Sequence, residues 1–559
     1  MKKYIIVGGV AGGATAAARL RRLDEEAEII LIERGGEISF ANCGLPYYVG
    51  GVIKERDELL LMLPQRFRNI FNVDVRIYSE VVKVDTANKK VSIKNSEGEY
   101  EESYDALVLS PGAKALRPPI PGIDNKHILT LRNVPDADAL RDLSLHYPEG
   151  KAVVIGGGFV GIEVAENLKE RGLEVTLVEA APHILAPFDD DMVVLAEKEL
   201  REHGIKLILG NGVKEFVSLD DKHLEVRLAD GQAVTANLVV LAMGVRPDTG
   251  FLANSDIKLG DRGHILVNEF METNVKDVYA VGDAVMTYDS QTGKAAALAL
   301  AGPANRQGRL AADNIAGRQK KYQGVVGTSI LKVFDLVAAS TGKNERTLQR
   351  EGLVYGRDYR FTITYPASHV TYYPGAEVFA LKTIFRLSDG KLLGAQAMGK
   401  KGVDKCIDTL ATVLRLGGTV EDLIDLELSY APPFGAAKAP ANMAGYFSED
   451  IINGLTDPIL PHEVAEEVAQ GAVIIDIRSK AMHEAGHISG AINIPTEKLR
   501  SNLQQLDKDK TYIIACVTGL NGYFMERMLR QKGYKARNLI GGHTYYDTVK
   551  GQYLSGQEV

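Results

Sequence analysis

The chain carries three cysteines, and two of them sit where sulfur chemistry could be done. Cys43 lies in SFANCGLPY, shortly after the glycine-rich GGVAGG at 8–13. Cys516 opens CVTGLNG directly after the apolar run TYIIA. A cysteine acts as a nucleophile through its thiolate, which positive charge or a helix N-terminus favours. A redox disulfide closed within one short stretch needs two cysteines, and Cys43 has no such neighbour. The source of its partner sulfur is the first question the sequence raises. Cys406, inside the apolar helical pattern DKCIDTLATVLRL, reads as core. Three cysteines make no disulfide framework and point to a reducing, cytoplasmic setting.

The elements that must position Cys43 are readable around it. YIIV at 4–7 reads as a strand, GGVAGG as a turn, ATAAARLRRL as a helix, and IILIE at 29–33 as a strand ending in an acid. The pattern returns in AVVIGGGFVGIEVAENL from 152 and VTLVE at 175–179. Two strand–turn–helix–strand–acid units imply two dinucleotide sites. In the second, Gly156, Gly158 and Gly161 complete GxGxxG, a turn that brings a pyrophosphate to a helix N-terminus. Glu179 follows at the distance that suits a ribose 2′-hydroxyl and would repel a 2′-phosphate, so NADH is expected over NADPH. The first unit departs from the pattern: Gly8 and Gly13 are in place, Val10 stands where the second glycine belongs, and Ala11 and Gly12 complete the turn. Glu33 and Arg34 end its second strand. Asp283, after the buried strand of TNVKDVYAVGDA, suits a sugar or ribitol hydroxyl. Two sites on one chain suggest an electron relay from NADH at the second to a flavin at the first.

At 559 residues the chain needs about three or four domains. A net charge of −8 argues against a nucleic-acid or anionic-membrane partner. No apolar run reaches the roughly 18–20 residues that span a bilayer. The start, MKKYIIVGGVAGGATAAAR, imitates a signal peptide, but strand, turn and helix account for more of its residues. The eleven histidines show no ligand spacing with the cysteines, so no metal site is expected.

Residues 1–447 resemble the pyridine nucleotide–disulfide oxidoreductases, and within them the coenzyme A disulfide reductase branch. The resemblance rests on SFANCGLPYY, AGPANRQGR at 301–309, YYPGA at 372–376 and LSYAPPFGAAK at 428–438. It implies FAD at the first site, with Asn42 among its contacts, and a homodimer in which residues of 326–447 complete the partner's active site. It also implies that the single Cys43 forms a mixed disulfide with coenzyme A, so that the ligand supplies the missing sulfur. Thr15, Arg19, Arg22, Ser39, Asn42, Asn305 and Lys438 are then the coenzyme A contacts. Arg19 and Arg22 share a helix face that suits phosphates; the same charges would also suit a solvated face neutralised by Asp24, Glu25 and Glu26. Tyr372 and Tyr430 match the family's active-site tyrosines, which supply a proton or hydrogen bond to the leaving sulfur. Tyr373 is adjacent and leaves that assignment open by one residue. Phe434 stands where a second tyrosine is common. The related NADH oxidases and peroxidases carry a histidine in the first glycine loop, where this chain has Ala11, which weakens oxygen or peroxide reduction as the main activity.

Residues 456–559 resemble a rhodanese, through DIRSKAMHEAGHISGAINIP at 476–495 and the Cys516 loop. A cysteine at a strand end before a turn and a helix has backbone N–H groups aimed at its sulfur, so Cys516 is the candidate sulfur carrier. Asp476, Arg478 and His487 read as scaffold. Val517 and Asn521 occupy places where rhodaneses that use thiosulfate carry arginines, so small persulfides are expected as better donors. The resulting architecture is α/β: two nucleotide-binding Rossmann-like domains, an α+β dimerisation domain and a rhodanese-like domain. The boundaries are FAD-binding 1–149 and 256–325, NADH-binding 150–255, dimerisation 326–447, linker 448–461 and rhodanese-like 462–559. The function expected is NADH-dependent reduction of coenzyme A persulfide or polysulfide to sulfide through a Cys43–coenzyme A mixed disulfide, with sulfur delivered by Cys516. The alternatives are coenzyme A disulfide reduction for thiol homeostasis and, of another class, a flavin-based redox sensor that binds a partner.

Overall fold

The apolar runs on either side of each glycine-rich turn become neighbouring parallel strands. In the computed structural model, which describes residues 1–553, Lys3–Val7 pairs with Glu28–Ile32, Tyr4 opposite Ile29 and Val7 opposite Ile32. Unbroken β-branched runs suit strands covered on both faces, and Ile5, Ile6, Ile30 and Leu31 have no solvent exposure. The sheet order is Val278–Ala280, Ala106–Leu109, Lys3–Val7, Glu28–Ile32 and Asp74–Arg76, all parallel. Its first strand lies far along the chain, so this sheet is built from two stretches of sequence. A second parallel sheet runs Lys206–Leu209, Glu174–Glu179, Lys151–Ile155, Leu238–Leu241 and Ile128–Leu129. Each sheet is interrupted at the same point by a three-stranded antiparallel meander, Glu80–Ser103 in the first and Val213–Ala236 in the second. The sequence repeat is therefore a duplicated fold.

The chain forms two compact units, Met1–Ile184 with Gly204–Val325, and Leu185–His203 with the chain from Val326 onward. The second unit contains a five-stranded antiparallel sheet ordered Ser329–Val333, Leu336–Gly342, Leu392–Gly399, Ala380–Arg386 and Tyr359–Thr364. Helix Val403–Arg415 packs its apolar side on this sheet and buries Cys406. A four-stranded parallel sheet, Ile492–Asn493, Val473–Asp476, Thr511–Ala515 and Lys535–Asn538, forms the C-terminal layer.

Segment 453–461, a Gly- and Pro-rich stretch in sequence, is held along its length. Arg530 donates to the carbonyls of Gly454 and Leu455, and the Thr456 hydroxyl to the buried Glu526 carboxylate. Ile459 bridges in parallel to Leu539, extending the C-terminal sheet.

Residues 185–203 join the second unit for an electrostatic reason. The Lys382 ammonium, with no solvent exposure, lies 3.1 Å from Asp189, 2.7 Å from Asp191 and 2.6 Å from Glu345. Tyr545, on the helix Gly542–Tyr553, donates to Asp191. Burial alone would lower Lys382, but the three carboxylates hold it well above its usual range. Burial raises Asp189 and Glu345 despite the ammonium. Lys382→Met strips the counter-charge from the buried Asp189 and Asp191 and the half-buried Glu345. The expected loss is about 3–5 kcal/mol, read from the urea unfolding midpoint; a loss under about 1 kcal/mol would contradict this account of the cluster.

Candidate functional site

Both glycine-rich turns end in helices whose first N–H groups are left free. Helices Ala11–Arg21 and Phe159–Glu170 have neither a side-chain cap nor an acid in the first turn. Their N-termini therefore present uncompensated donors and positive dipole to an anion. Gly8 and Gly156 take φ of +95° and +110°. A Cβ on Gly13 would stand 1.8 Å from the Gly8 carbonyl oxygen, and one on Gly161 1.9 Å from that of Gly156, so each turn closes only with glycine there. A Cβ on Gly12 would stand 2.9 Å from a Val281 methyl, a milder crowding. A Cβ on Gly158 would meet no protein atom within 4 Å, which leaves room for a pyrophosphate. Ala11 begins its helix directly after Val10, so Val10 alters the turn's surface and not its course.

The two acids repeat one hydrogen-bond pattern. Glu33 accepts from the N–H of Gly9 and of Gly35, both at 2.8 Å. Glu179 accepts from Gly157 at 2.6 Å and Ala181 at 2.8 Å. Each carboxylate is thus held beside its glycine turn, where a ribose would lie, and the residues present fit a dinucleotide at each site. Arg34 shares its charge between Asp248 at 3.0 Å and Glu80 at 3.4 Å. Asp283 is engaged by Arg132 at 2.6 Å. Arg132 carries no motif that would have pointed to it.

The Cys43 loop is tied to the first turn. Ser39 adopts φ +49° and donates its N–H to Gly9 at 2.8 Å. A single 3₁₀ turn, Asn42–Gly44, carries Cys43 into helix Leu45–Gly50, with Pro46 at its start. The cysteine is exposed. The protein mass around it, then Glu163 and Asp283, push its thiol above the usual range, with Arg132 pulling the other way. The charged groups that act on this sulfur are thus two acids and one cation.

Helices Ala11–Arg21 and Ala301–Ile315 pack face to face. The Thr15 hydroxyl donates to Asn305 at 2.6 Å, and Arg19 is paired with the buried Asp313 at 2.7 Å. Arg22 is exposed, and burial together with the charges of Arg19 and Arg309 lowers it. Among the described residues it forms no ion pair with Asp24, Glu25 or Glu26. Arg21 is structural: it is buried and donates to the carbonyls of Phe71, Asp24, Glu25, Ala27 and Asn72.

In the second unit, the hydroxyls of Tyr372 and Tyr430 meet at 3.0 Å on an exposed surface. Tyr373 turns instead to the His369 ring, 5.7 Å between centroids. Tyr372 is thus the one of the two that pairs. Phe434 is exposed. A cavity of about 400 Å³ runs from Tyr372 and the exposed Lys438, past Ile363 and Phe447, to Thr518 and Leu520 of the Cys516 loop.

Cys516 ends strand Thr511–Ala515 and is buried. Its Sγ accepts the N–H of Gly519 and of Gly522, each at 3.1 Å. Burial pushes the thiol up, and the N–H groups of Gly522, Thr518, Gly519 and Asn521 oppose this. Asn538 braces the loop by donating to the Gly519 carbonyl at 3.0 Å. Asp476 and Arg478 form a buried pair at 2.7 Å. The histidine on Asp476 is His483, at 2.9 Å. His487 stacks on that ring at 3.9 Å.

Comparison with known proteins places the fold in a family. The pyridine nucleotide-disulphide oxidoreductase pattern matches residues 2–308, and the dimerisation domain of the same family matches 328–441. The chain belongs to the pyridine nucleotide-disulphide oxidoreductase family. It also carries a rhodanese-like domain at 460–547. A coenzyme A disulfide reductase of Staphylococcus haemolyticus is 36% identical over 81% of this chain and 100% of its own. The structure of reduced Bacillus anthracis CoADR-RHD shares 45% identity, with TM-score 0.95 over 99% of both chains. That of a NAD-dependent persulfide reductase from A. fulgidus shares 35%, with TM-score 0.91 over 97% of this chain and 99% of that one. The family fold and its oxidoreductase chemistry on sulfur groups therefore apply here, with FAD and NAD(P)H as the family's cofactors. No helix among the described residues is long and apolar enough to cross a membrane.

The Cys516 loop allows a direct check. A Cβ on Gly522 would stand 2.2 Å from the Asn538 side-chain oxygen and displace the brace on Gly519. Gly522→Ala is expected to slow alkylation of Cys516 at neutral pH roughly tenfold, the equivalent of about 1.4 kcal/mol in N–H stabilisation of the thiolate. Mass spectrometry of the Cys516 peptide reads the rate, and an unchanged rate would show that these N–H groups do not activate the sulfur.

Proposed function

We propose that this protein is an NADH-dependent reductase of coenzyme A persulfide or polysulfide that releases sulfide. The observation that carries the reading is the cavity that joins the Cys516 loop to Tyr372 and Lys438 within one compact unit. Cys516 takes a sulfane sulfur from a small persulfide, its terminal anion held by the N–H groups of Gly519 and Gly522, and passes it to the coenzyme A thiol. Lys438, Thr15, Asn305, Arg19 and Arg22 bind coenzyme A, and Ser39 and Asn42 line its approach to Cys43. The Cys43 thiolate attacks the inner sulfur of coenzyme A persulfide. The persulfide S–S bond breaks, hydrosulfide leaves with the electron pair, and a Cys43–coenzyme A disulfide forms. Tyr372 and Tyr430 donate a proton to the departing sulfur. When bound, FAD would supply the chemistry that returns the disulfide to two thiols, passing on two electrons from NADH. Gly8, Val10, Ala11, Gly12, Gly13, Glu33, Arg34, Asn42 and Asp283 would hold FAD; Gly156, Gly158, Gly161 and Glu179 would hold NADH, with the Glu179 carboxylate disfavouring a 2′-phosphate.

The dimerisation-domain match supports a homodimer in which the exposed tyrosine pair completes the partner protomer's site. Three unpaired cysteines support a reducing, cytoplasmic setting. A second reading, coenzyme A disulfide reduction for thiol balance, is favoured by a coenzyme A disulfide reductase whose full length aligns with 81% of this chain.

The test is NADH oxidation with coenzyme A persulfide against coenzyme A disulfide, sulfide being quantified in the same assay. Persulfide is expected to give the higher kcat/KM with about one sulfide per NADH. Cys43→Ser should abolish both reactions, about 10⁴-fold or more for a lost nucleophile. Cys516→Ser should depress polysulfide turnover and leave the coenzyme A disulfide reaction intact. Unchanged polysulfide turnover in Cys516→Ser overturns the relay, and a preference for the disulfide without sulfide release leaves the thiol-balance reading.

A further inference from the structure

Helix Gly542–Tyr553, the last of the described residues, has no role in the proposed reaction. It starts on two successive glycines, Gly541 and Gly542, both at φ +61°. A Cβ on Gly542 would stand 2.4 Å from the Cys516 carbonyl oxygen and 2.8 Å from the Thr518 nitrogen, so glycine there lets the helix start lie against the Cys516 loop. The next two residues hold the loop. His543 donates its N–H to the Cys516 carbonyl at 2.8 Å, and Thr544 to that of Val517 at 3.0 Å. A trans peptide unit is planar, with its carbonyl and its N–H pointing opposite ways. The Val517 carbonyl and the Thr518 N–H belong to one such unit, and that N–H is among those that act on the sulfur. Thr544 therefore fixes from behind a donor that faces Cys516.

Within the same turn, Tyr545 fixes the helix itself. It is buried, and its hydroxyl donates to Asp191 Oδ2. Asp191 lies in the first turn of helix Asp190–Glu202, on which the last helix packs. The same oxygen accepts from Lys382 at 2.7 Å, and Oδ1 has no hydrogen-bond partner among the described residues. Lys382 is held in turn by Asp189 at 3.1 Å and by Glu345 at 2.6 Å, and Glu345 also accepts from the Tyr359 hydroxyl at 3.0 Å. Asp191 is thus a fixed acceptor that cannot follow the tyrosine if the helix shifts.

We infer that Tyr545 is a positioning residue for Cys516: its bond to Asp191 sets the place of the last helix, and the helix sets the loop whose N–H groups receive the charge on the sulfur. Tyr545 touches neither substrate nor sulfur, and no proton or electron passes through it. Small displacements matter, because a hydrogen bond weakens steeply as its angle closes. Positioning and plain stabilisation differ in sign. Cys516 is buried, so a merely loosened domain would expose the sulfur and quicken its alkylation, whereas misplaced donors slow it. The inference rests on Cys516 being the sulfur carrier.

The experiment is the pH dependence of Cys516 alkylation by iodoacetamide in the FAD-loaded full-length protein, followed on the Cys516 peptide by mass spectrometry, with folding checked by near-ultraviolet circular dichroism. Tyr545→Phe should move the midpoint of the profile to higher pH and slow the rate at pH 7 roughly three- to tenfold, as a smaller thiolate fraction requires. Asp191→Ala should do the same. The double variant should go no further, since both substitutions remove one bond. Asp191→Asn keeps an oxygen for both Lys382 and Tyr545 and should keep the wild-type profile, so it tests the bond even if the other variants unfold. An unchanged midpoint or a faster rate in Tyr545→Phe, additive shifts in the double variant, or a shifted profile in Asp191→Asn would overturn the inference. Failure of the carrier reading would show elsewhere, as unchanged polysulfide turnover in Cys516→Ser.

Discussion

The second unit is organised around one ammonium group that has lost all contact with water. A charge buried so deeply persists only where opposite charge and hydrogen bonds replace its hydration. Lys382 draws these from three separate stretches: Asp189 and Asp191 from 185–203, Glu345 from the helix beside the antiparallel sheet, and Tyr545, through Asp191, from the last helix. Three acids surround one cation, and burial, with their mutual repulsion, raises the carboxyls of Asp189 and Glu345 while the ammonium opposes it. The helix that carries Tyr545 also begins at the Cys516 loop: the N–H groups of His543 and Thr544 donate to the carbonyls of Cys516 and Val517. The ammonium and the loop are thus the two ends of one short structural chain.

Much of this was legible in the sequence because it depends on neighbours along the chain. The glycines at 8, 13, 156 and 161 and the acids at 33 and 179 announce themselves by spacing, since a tight turn has only one way to lead from strand to helix. The Cys516 loop is readable for the same reason. What escaped depends on partners far apart in sequence. Arg132 reaches Asp283 across 151 positions, and Lys382 reaches Asp191 across 191. The acidic face presented to Cys43 comes largely from Glu163, in a different nucleotide fold. Arg19, Arg21 and Arg22 look alike as a run, and only packing separates the buried Arg21 from the exposed Arg22. His483 and not His487 meets Asp476 because the helix Lys480–Ala485 turns that ring inward.

The two sulfurs sit in contrasting surroundings. Cys516 is enclosed by backbone donors that cannot leave, an arrangement suited to holding a charge of constant sign. Cys43 is open to solvent, and the side chains that act on its charge are the acids Glu163 and Asp283 with Arg132 opposing them, none of them a fixed backbone donor. Cys406, buried in helix packing and pushed up to about 12, takes no part in either.

The held segment 453–461 bears on modularity. A Gly- and Pro-rich run between two recognisable domains invites the view that the C-terminal domain is a detachable cassette. Yet Ile459 is an edge of that domain's sheet, Thr456 is a hydrogen-bond partner of its buried Glu526, and Arg527, Arg530 and Arg537 all anchor on the same run. A cut within this run would take away part of the cassette itself and open the apolar wall around Ile363 and Phe447. The joint is therefore part of the fold: Thr456, Pro458, Ile459 and Leu460 are buried in it, and a boundary drawn by composition would pass through a packed layer.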